Sequence, residues 1–503
     1  MDSVPPGTPT DLLTMLGRHV ARRPESTCLI FEDQILSFTE LDARSDRVAG
    51  ALRAQGIGAG DRVAILAWSQ PAFFEVLLGC AKAGAIMVPI NQRLSPREVG
   101  EILADAAPSL LVLGEELAQL VPEGATIPVL AIDDYARWRD AGAPLSASAV
   151  SPDDPVLILY TSGTTALPKG VVLSHRNLSY LGRMAGELWH FTGDSTNLAA
   201  MPLFHIGGIG WGLLAFSQGG QTILTRASEP AALLDLMRRH GVTHAFLVPT
   251  LIQRLVDHLE ATGDPAPLVA HMFYGGAPMG ESLLASSIAA FGCAFHHTYG
   301  MTETAGTTVT LGPEDHDPAG PHPERLRSCG RAMPWVELKL VDPATGQEVP
   351  TGTIGEVRMR SPCVTRGYWR RPDATAEAIT PDGWLCSGDA ATQDADGYLY
   401  LCDRYKNMIV SGGENIYPAE IDNVLQHHPA VHEVAVVGAP HPKWGETPHA
   451  HIVLRPGASA SEAEIMAFAR ERLAHYKCPT AVFFVKDLPR NASGKILKRE
   501  LRR

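Results

Sequence analysis

These 503 residues contain no CxxC pair, no apolar run long enough to span a bilayer and no excess of basic residues: Lys and Arg number 42 against 55 Asp and Glu. The formal charge of -13 excludes a general nucleic-acid binder, because phosphate contacts need a basic face. It leaves room for a nucleotide, which needs only a few local donors and one or two cations. The eight cysteines (Cys28, Cys80, Cys293, Cys329, Cys363, Cys386, Cys402, Cys478) are scattered and read as reduced thiols, not as a disulfide framework or a zinc site. The most apolar window, 206–216, is glycine-rich and too short to cross a membrane. The opening MDSVPPGTPTDLL lacks a basic region leading into an apolar stretch, so no secretory signal is expected. The closing Leu501-Arg502-Arg503 is not a peroxisomal address. There is no internal repeat and no low-complexity tract. A cytoplasmic enzyme is expected, with no transmembrane segment and no nucleic-acid partner.

What is present is a globular balance, 45% hydrophobic and 19% charged, in a chain too long for one ordinary core. Short β-branched runs alternate with helical patterns over the first 300 residues. Segments 62–66, 86–89 and 110–113 read as strands, with 71–82 and 98–106 as helices. After a connection over 142–155, strands resume at 157–160, 244–248 and 272–274. This alternation predicts crossover-connected, mostly parallel sheets. Beyond Pro334 the texture changes: 336–341 and 355–359 alternate like exposed antiparallel strands. From about Tyr405 a compact α+β pattern follows, with a helix opened by Pro418, strands at 434–437 and 451–454, and a helix over 462–473.

Six local clusters carry chemistry. Directly after an apolar strand comes Tyr160-Thr161-Ser162-Gly163-Thr164-Thr165-Ala166-Leu167-Pro168-Lys169-Gly170. Hydroxyls, glycines and a lysine in one loop offer what a triphosphate requires. It is not a Walker A loop, since Pro168 stands where that motif has its second glycine. Gly275-Gly276-Ala277-Pro278 follows a strand and would let a base or ribose approach the backbone, although taken by itself a structural turn explains it better. Thr298-Tyr299-Gly300-Met301-Thr302-Glu303 offers a ring for adenine, a hydroxyl for phosphate and a carboxylate for Mg²⁺. Ser387-Gly388-Asp389, with Asp403-Arg404-Tyr405-Lys406 beyond it, suits a ribose diol or a surface turn. Ser411-Gly412-Gly413-Glu414-Asn415 precedes a proline-started helix. Finally, Asn491-Ala492-Ser493-Gly494-Lys495 sets a lysine past a flexible turn.

In this order and spacing, the clusters resemble the adenylate-forming superfamily of acyl-CoA synthetases, peptide-synthetase adenylation domains and luciferases. The form of Pro202-Leu203-Phe204-His205 and Gly412-Gly413-Glu414-Asn415 is that of the acyl- and aryl-CoA synthetase branch. The resemblance implies an α/β fold: a large N-terminal domain (1–403) of mostly parallel sheets with helices and a small β-barrel-like part, a hinge (404–407), and a small mobile α+β C-terminal domain (408–503). It implies ATP-dependent conversion of a carboxylic acid to acyl-AMP, then transfer to coenzyme A, with Mg²⁺ as cofactor. Lys495 would serve adenylation; Glu303 and Thr161 would hold the metal; Thr161, Ser162, Gly163, Thr164, Thr165 and Lys169 would hold the departing phosphates. Gly275, Gly276, Ala277 and Thr298 to Thr302 would hold the adenosine with Asp389 and Arg404. Lys406 would be the pivot, and Gly412 and Gly413 would join the pantetheine tunnel.

His205 matches the mouth of the acyl pocket, with Gly207, Gly208, Trp211 and Gly276 on its wall. No charged residue lies between 206 and 211, which disfavours an amino acid or a dicarboxylate. A bulky apolar monocarboxylate is expected. Three departures from the family pattern stand out: Ala166 and Ser387 replace the usual glycine and threonine, and Asn407 the usual aspartate. A Cβ at a positive-φ position would cost about 1 kcal/mol or more, so Ala166 implies a weakened adenylation step if that geometry is needed. A carrier-protein thiol as acceptor, an enzyme specialised for one half-reaction, and a homodimer remain alternatives.

Overall fold

The computed structural model describes residues 11–145, 150–161, 168–277, 279–412, 414–490 and 496–502. A large N-terminal domain is built on two mainly parallel sheets. One has six strands, in the order Val129–Ala131, Leu110–Leu113, Arg62–Leu66, Ile86–Pro89, Pro155–Thr161, Lys169–Ser174. All its pairings are parallel except the last, an antiparallel hairpin whose end pairs Thr161 with Lys169. The other sheet has nine strands. Its centre runs Ala294–Met301, His271–Gly275, His244–Leu247, Thr196–Ala199, Gln221–Leu224, Thr27–Phe31, parallel throughout.

The strands expected at 62–66, 86–89 and 110–113 occupy those residues, and Ala72–Ala83 and Pro96–Ala106 are the helices between them. Ser95 and Glu98 close a reciprocal cap on the second. Helix Ala72–Ala83 is buried all round, as a sequence apolar on every face except at Glu75 and Lys82 requires. Its one buried carboxylate, Glu75, is paired by Arg44 and Arg139.

The region expected to be barrel-like is an antiparallel sheet of four strands, Glu337–Val341, Gly355–Arg360, Leu385–Gln393 and Leu399–Arg404. A small C-terminal domain follows. Its sheet combines Glu414–Ile416, Ile409–Ser411, Gly445–Leu454 and Val431–His441, with Ala481–Phe484 added beside Gly445–Leu454. Helices Pro418–Gln426 and Glu462–Arg470 pack on a core that includes Ile409, Ile421, Val436 and Ile465. The second helix stops three residues short of the expected 473, where Arg472 and Leu473 N–H groups turn back to the Ala469 carbonyl. Among the described residues no helix is long and apolar enough to cross a membrane.

Candidate active site

One cavity of about 370 Å³ gathers most of those residues singled out in the sequence that the structure describes. Thr161, Lys169, His205, Gly207, Trp211, Gly276, Thr298, Gly300, Met301, Thr302, Glu303, Arg404 and Lys406 all line it. They arrive from the hairpin end, from the C-terminal ends of parallel strands, from the N-terminal half of helix Ile206–Gln218 with its cap His205, and from the end of strand Leu399–Arg404. Crevices at the carboxyl ends of parallel strands are where open α/β sheets bind ligands. Gly208, Gly275, Ala277, Tyr299, Asp389 and Gly412 are not on its wall. Ser162, Gly163, Thr164, Thr165, Ala166, Pro278, Gly413 and Lys495 lie outside the described residues.

The polar end is held together by a segment that no motif reading selected. Residues 365–369 strap the hairpin to Glu303: Thr365 N–H donates to the Glu303 carbonyl at 2.7 Å and its hydroxyl donates to the Val172 carbonyl. Trp369 N–H donates to the Gly170 carbonyl at 2.7 Å. Tyr368 then lines the cavity, its hydroxyl 2.8 Å from Glu303 Oε1 and its ring 5.2 Å from Lys169 Nζ. Burial, and then the Glu303 charge, push the Tyr368 phenol well above its ordinary value, so it stays a donor. The signal that could have found it is the aromatic pair directly after Gly367, whose φ of 141° only glycine adopts comfortably.

Beside this, Tyr299 donates its hydroxyl to Asp389 Oδ2 at 2.8 Å and Arg404 Nε lies 2.9 Å from Asp389 Oδ1. Register explains the second contact, since Asp389 and Arg404 are direct partners on adjacent antiparallel strands. Asp389 is 6% exposed. Its backbone N–H donates to Ser387 Oγ, which itself donates to the Val357 carbonyl; serine in place of threonine keeps both bonds. Gly276 has φ +74°, a conformation that favours glycine, and Gly275 has no room for a Cβ against Thr298. Asn407 donates to Asp403 Oδ1 at 2.9 Å, a bond an aspartate there would turn into carboxylate repulsion.

The apolar end is the helix Ile206–Gln218 and its neighbours. His205 is the N-cap, its Nδ1 accepting from Gly207 N–H at 3.0 Å. Gly207 and Gly210 face the cavity, but Gly208 opens no volume there: a Cβ would overlap the Pro202 carbonyl, so this glycine serves close packing. Trp211 is fixed twice, its indole N–H donating to the Leu198 carbonyl at 3.0 Å and its own carbonyl accepting from Asn197 at 2.9 Å. Trp189, Met184, Leu181, Met201, Phe246 and Leu214 complete the wall. Among the described residues the charged side chains on the cavity are Lys169, Glu303, Arg404 and Lys406, and none of them comes from this helix.

Among the described residues no group of three or more His, Cys, Asp or Glu is placed to hold a metal. Among the described residues Glu303 is the one carboxylate on the wall, which suits Mg²⁺, an ion that takes one or two protein carboxylates and fills its octahedron with water and substrate phosphates.

Residues 16–369 match the model of the AMP-binding enzyme family, and residues 420–495 that of the AMP-binding enzyme C-terminal domain. The fatty acid–[acyl-carrier-protein] ligase ScoC of Streptomyces coeruleorubidus is 39% identical over 496 residues, 96% of this chain and 94% of that protein. A feruloyl-CoA synthase of Amycolatopsis is 39% identical over 493 residues, 97% of each chain. The o-succinylbenzoate CoA synthetase MenE of Bacillus subtilis, solved with its acyl-adenylate intermediate, superposes with a TM-score of 0.86 at 32% identity over 97% of both chains. The same enzyme has been solved with ATP and a magnesium ion, TM-score 0.85, 32% identity, over 97% of this chain and 98% of that one.

Proposed function

Because the chain belongs to the AMP-binding enzyme family and is an AMP-forming acid–thiol ligase, we propose that it activates a bulky, apolar monocarboxylic acid with ATP and passes the acyl group from acyl-AMP to coenzyme A. The observation that carries this reading is the make-up of the wall: among the described residues its charged side chains are Lys169, Glu303, Arg404 and Lys406, and along helix Ile206–Gln218 it is apolar and aromatic. A second carboxylate or an ammonium on the acid would enter that apolar end unpaired, at a cost of several kcal/mol.

In this reading Lys169 and Thr161 meet the β- and γ-phosphates, and Asp389 with Arg404 meets the ribose. Tyr368 orients Glu303, so that its carboxylate faces the phosphates. Mg²⁺, when bound through Glu303 and Thr161, neutralises phosphate charge. Lys495 stabilises the charge that develops on the acid carboxylate and α-phosphate as pyrophosphate leaves. The C-terminal domain (408–503) then turns about 404–407, with Lys406 as pivot, and brings Gly412 and Gly413 to the thiol.

The test is an acid panel read by pyrophosphate release and by thioester mass. Aryl-substituted and other bulky apolar acids should exceed acetate, dicarboxylates and amino acids in kcat/KM by a hundredfold or more; a dicarboxylate at the top of the ranking overturns the reading. The likeness to ScoC supports a second acceptor, an acyl-carrier protein. Faster turnover with a phosphopantetheinylated carrier than with coenzyme A would select it.

A further inference from the structure

Asp403 is the next-to-last residue of strand Leu399–Arg404. It stands on one side of the pivot assigned to Lys406, yet most of what its carboxylate touches lies on the other. Its side chain is 7% exposed. Oδ1 accepts from the Arg404 N–H at 2.6 Å and from Asn407 Nδ2 at 2.9 Å, closing a loop over residues 404–407. Oδ2 accepts from the Ala419 N–H at 3.1 Å, in the first turn of helix Pro418–Gln426, and lies 3.8 Å from Lys498 Nζ. Asn407, Ala419 and Lys498 all belong to the chain beyond Lys406. A large turn at that residue carries them off together, so Asp403 keeps these contacts in one arrangement of the two domains and loses them in the other.

Lys498 opens the short helix Lys498–Leu501, three residues beyond Lys495. Its ammonium also lies 2.8 Å from Asp422 Oδ2, and Asp422 Oδ1 accepts from the Val436 N–H at 2.6 Å. Just upstream, the Leu497 N–H donates to the Pro489 carbonyl at 2.7 Å, so both flanks of segment 491–495 are tied to this anchor. The cluster is not there for cheap stability. Burial, with the Asp403 charge adding to it, holds the Asp422 carboxyl up at about 6 even beside Lys498. Buried ion clusters contribute little net stability, and their best-attested use is to fix one arrangement over another.

The cavity tells which arrangement this is. Lys406 lines it and Gly412 does not; the Gly412 N–H is given to the Trp444 carbonyl at 2.8 Å. In the two-step reading above, Gly412 reaches the thiol only after the turn, so Asp403 is engaged in the arrangement of the first step.

We propose that Asp403, together with Lys498, is a positioning residue for adenylation: it holds the C-terminal domain, and with it the base of the segment that carries Lys495, in the first arrangement, and it must let go before the thiol reacts. The proposal rests on the two-step reading and names the contact that sets the balance between its steps.

The test measures the half-reactions separately, as acid-dependent pyrophosphate release and as thioester formation from supplied acyl-AMP plus coenzyme A. In Asp403→Ala the first should fall roughly tenfold or more, while the second holds or rises. Disturbance of Arg404 alone would slow both, because the ribose is held in both steps. Lys498→Met should act in the same direction, since it leaves Asp403 and Asp422 facing each other without their cation, and it decides the matter if Asp403→Ala does not fold. Both steps slowed alike, or a ratio of the two rates that stays within about twofold of wild type, overturns the latch and leaves the two-step reading standing. If the wild-type protein forms no thioester from any supplied acyl-AMP, the two-step reading falls and the latch with it.

Discussion

The two ends of the cavity are built from different material. Its apolar end is a helix, Ile206–Gln218, set against strands, with Trp189, Trp211, Phe273 and Phe246 in ring-to-ring contact at 4.9–5.9 Å. Its polar end is assembled from chain ends and turns: a hairpin closed at Thr161 and Lys169, a 3₁₀ turn carrying Glu303, the strap at 365–369, and the last residues of a strand at Arg404. Regular, close-packed elements hold a shape and so suit selection of the acid. Turns and strand ends can move between steps, which suits chemistry that needs two arrangements of one site. Changes at the polar end should therefore alter rate, and changes at the apolar end should alter ranking among acids.

The sharpest way to break this division is Lys495→Ala. It should lower acid-dependent pyrophosphate release by several orders of magnitude, the loss expected when a transition-state cation is removed. Supplied acyl-AMP plus coenzyme A should still give thioester. Equal loss in both assays would remove Lys495 from the first step. Lys406→Pro addresses the motion directly, since proline fixes φ near −65°. Adenylation should survive and thioester formation should fall at least a hundredfold, measured from acyl-AMP; two rates near wild type would place the pivot elsewhere.

A third prediction concerns the opposite ends of the same parallel strands. At their C-terminal ends lie Gly276 and Thr298; nearer their N-terminal ends lie His244, His271 and His296, with His271 Nδ1 3.1 Å from His296 Nε2. Burial, reinforced by the neighbouring imidazoles, pulls His244 down to about 3 and His296 to about 2. Both are lower than in an unfolded chain, so the unfolded state gains protons first as pH falls. Stability is complete above about pH 6.5 and is lost below it, by roughly 1.5 kcal/mol per histidine between pH 6.5 and 5. Urea midpoints should drop steeply over that range, and His296→Phe should flatten the slope. A midpoint constant from pH 7 to 5 would contradict the neutral, buried state.

Much of this layout was legible in the sequence, and the misses have physical reasons. The β-branched runs at 62–66 and 110–113 stand alone between turn residues, so their strands could be read directly. The clusters that contain Thr161, Glu303 and Arg404 are each contiguous in sequence and converge on one cavity. Gly208 shows the limit. Period and composition mark a helix with glycines but not which glycine faces a neighbouring backbone, and only the contact with Pro202 separates Gly208 from Gly207. Tyr368 and Trp189 belong to no cluster of polar residues, and each reaches the cavity through irregular chain, a strap in one case and a π turn in the other. Periodicity cannot register either.

Trp211→Ala should act on ranking more than on rate. Removing the indole opens the inner wall and strips two aromatic contacts from Trp189 and Phe273. The preference should move toward longer acids, by roughly 1–3 kcal/mol in kcat/KM between extremes of the panel. If every acid slows by the same factor, Trp211 is ordinary core and the contrast between the two ends weakens.

The smallest effect is expected at Ala166, the one departure from the family pattern within the phosphate loop, and it tests whether the polar end is tuned for rate at all. Glycine at this position can take positive φ and turn its N–H to a triphosphate, whereas alanine can do so only with strain. If the bound loop needs that conformation, Ala166→Gly should raise the adenylation rate or lower KM for ATP. A gain of about 1 kcal/mol corresponds to a roughly fivefold change. The acyl-AMP to thioester step should not respond, because the pyrophosphate has left by then. If the loop uses negative φ there instead, glycine only adds freedom to the unbound chain and costs a little activity. Stopped-flow pyrophosphate release by the two proteins separates these cases by sign. A gain restricted to the thioester step would mean that this loop matters to the second half-reaction, and the assignment of rate control in the first step to Thr161 through Lys169 would have to be redrawn.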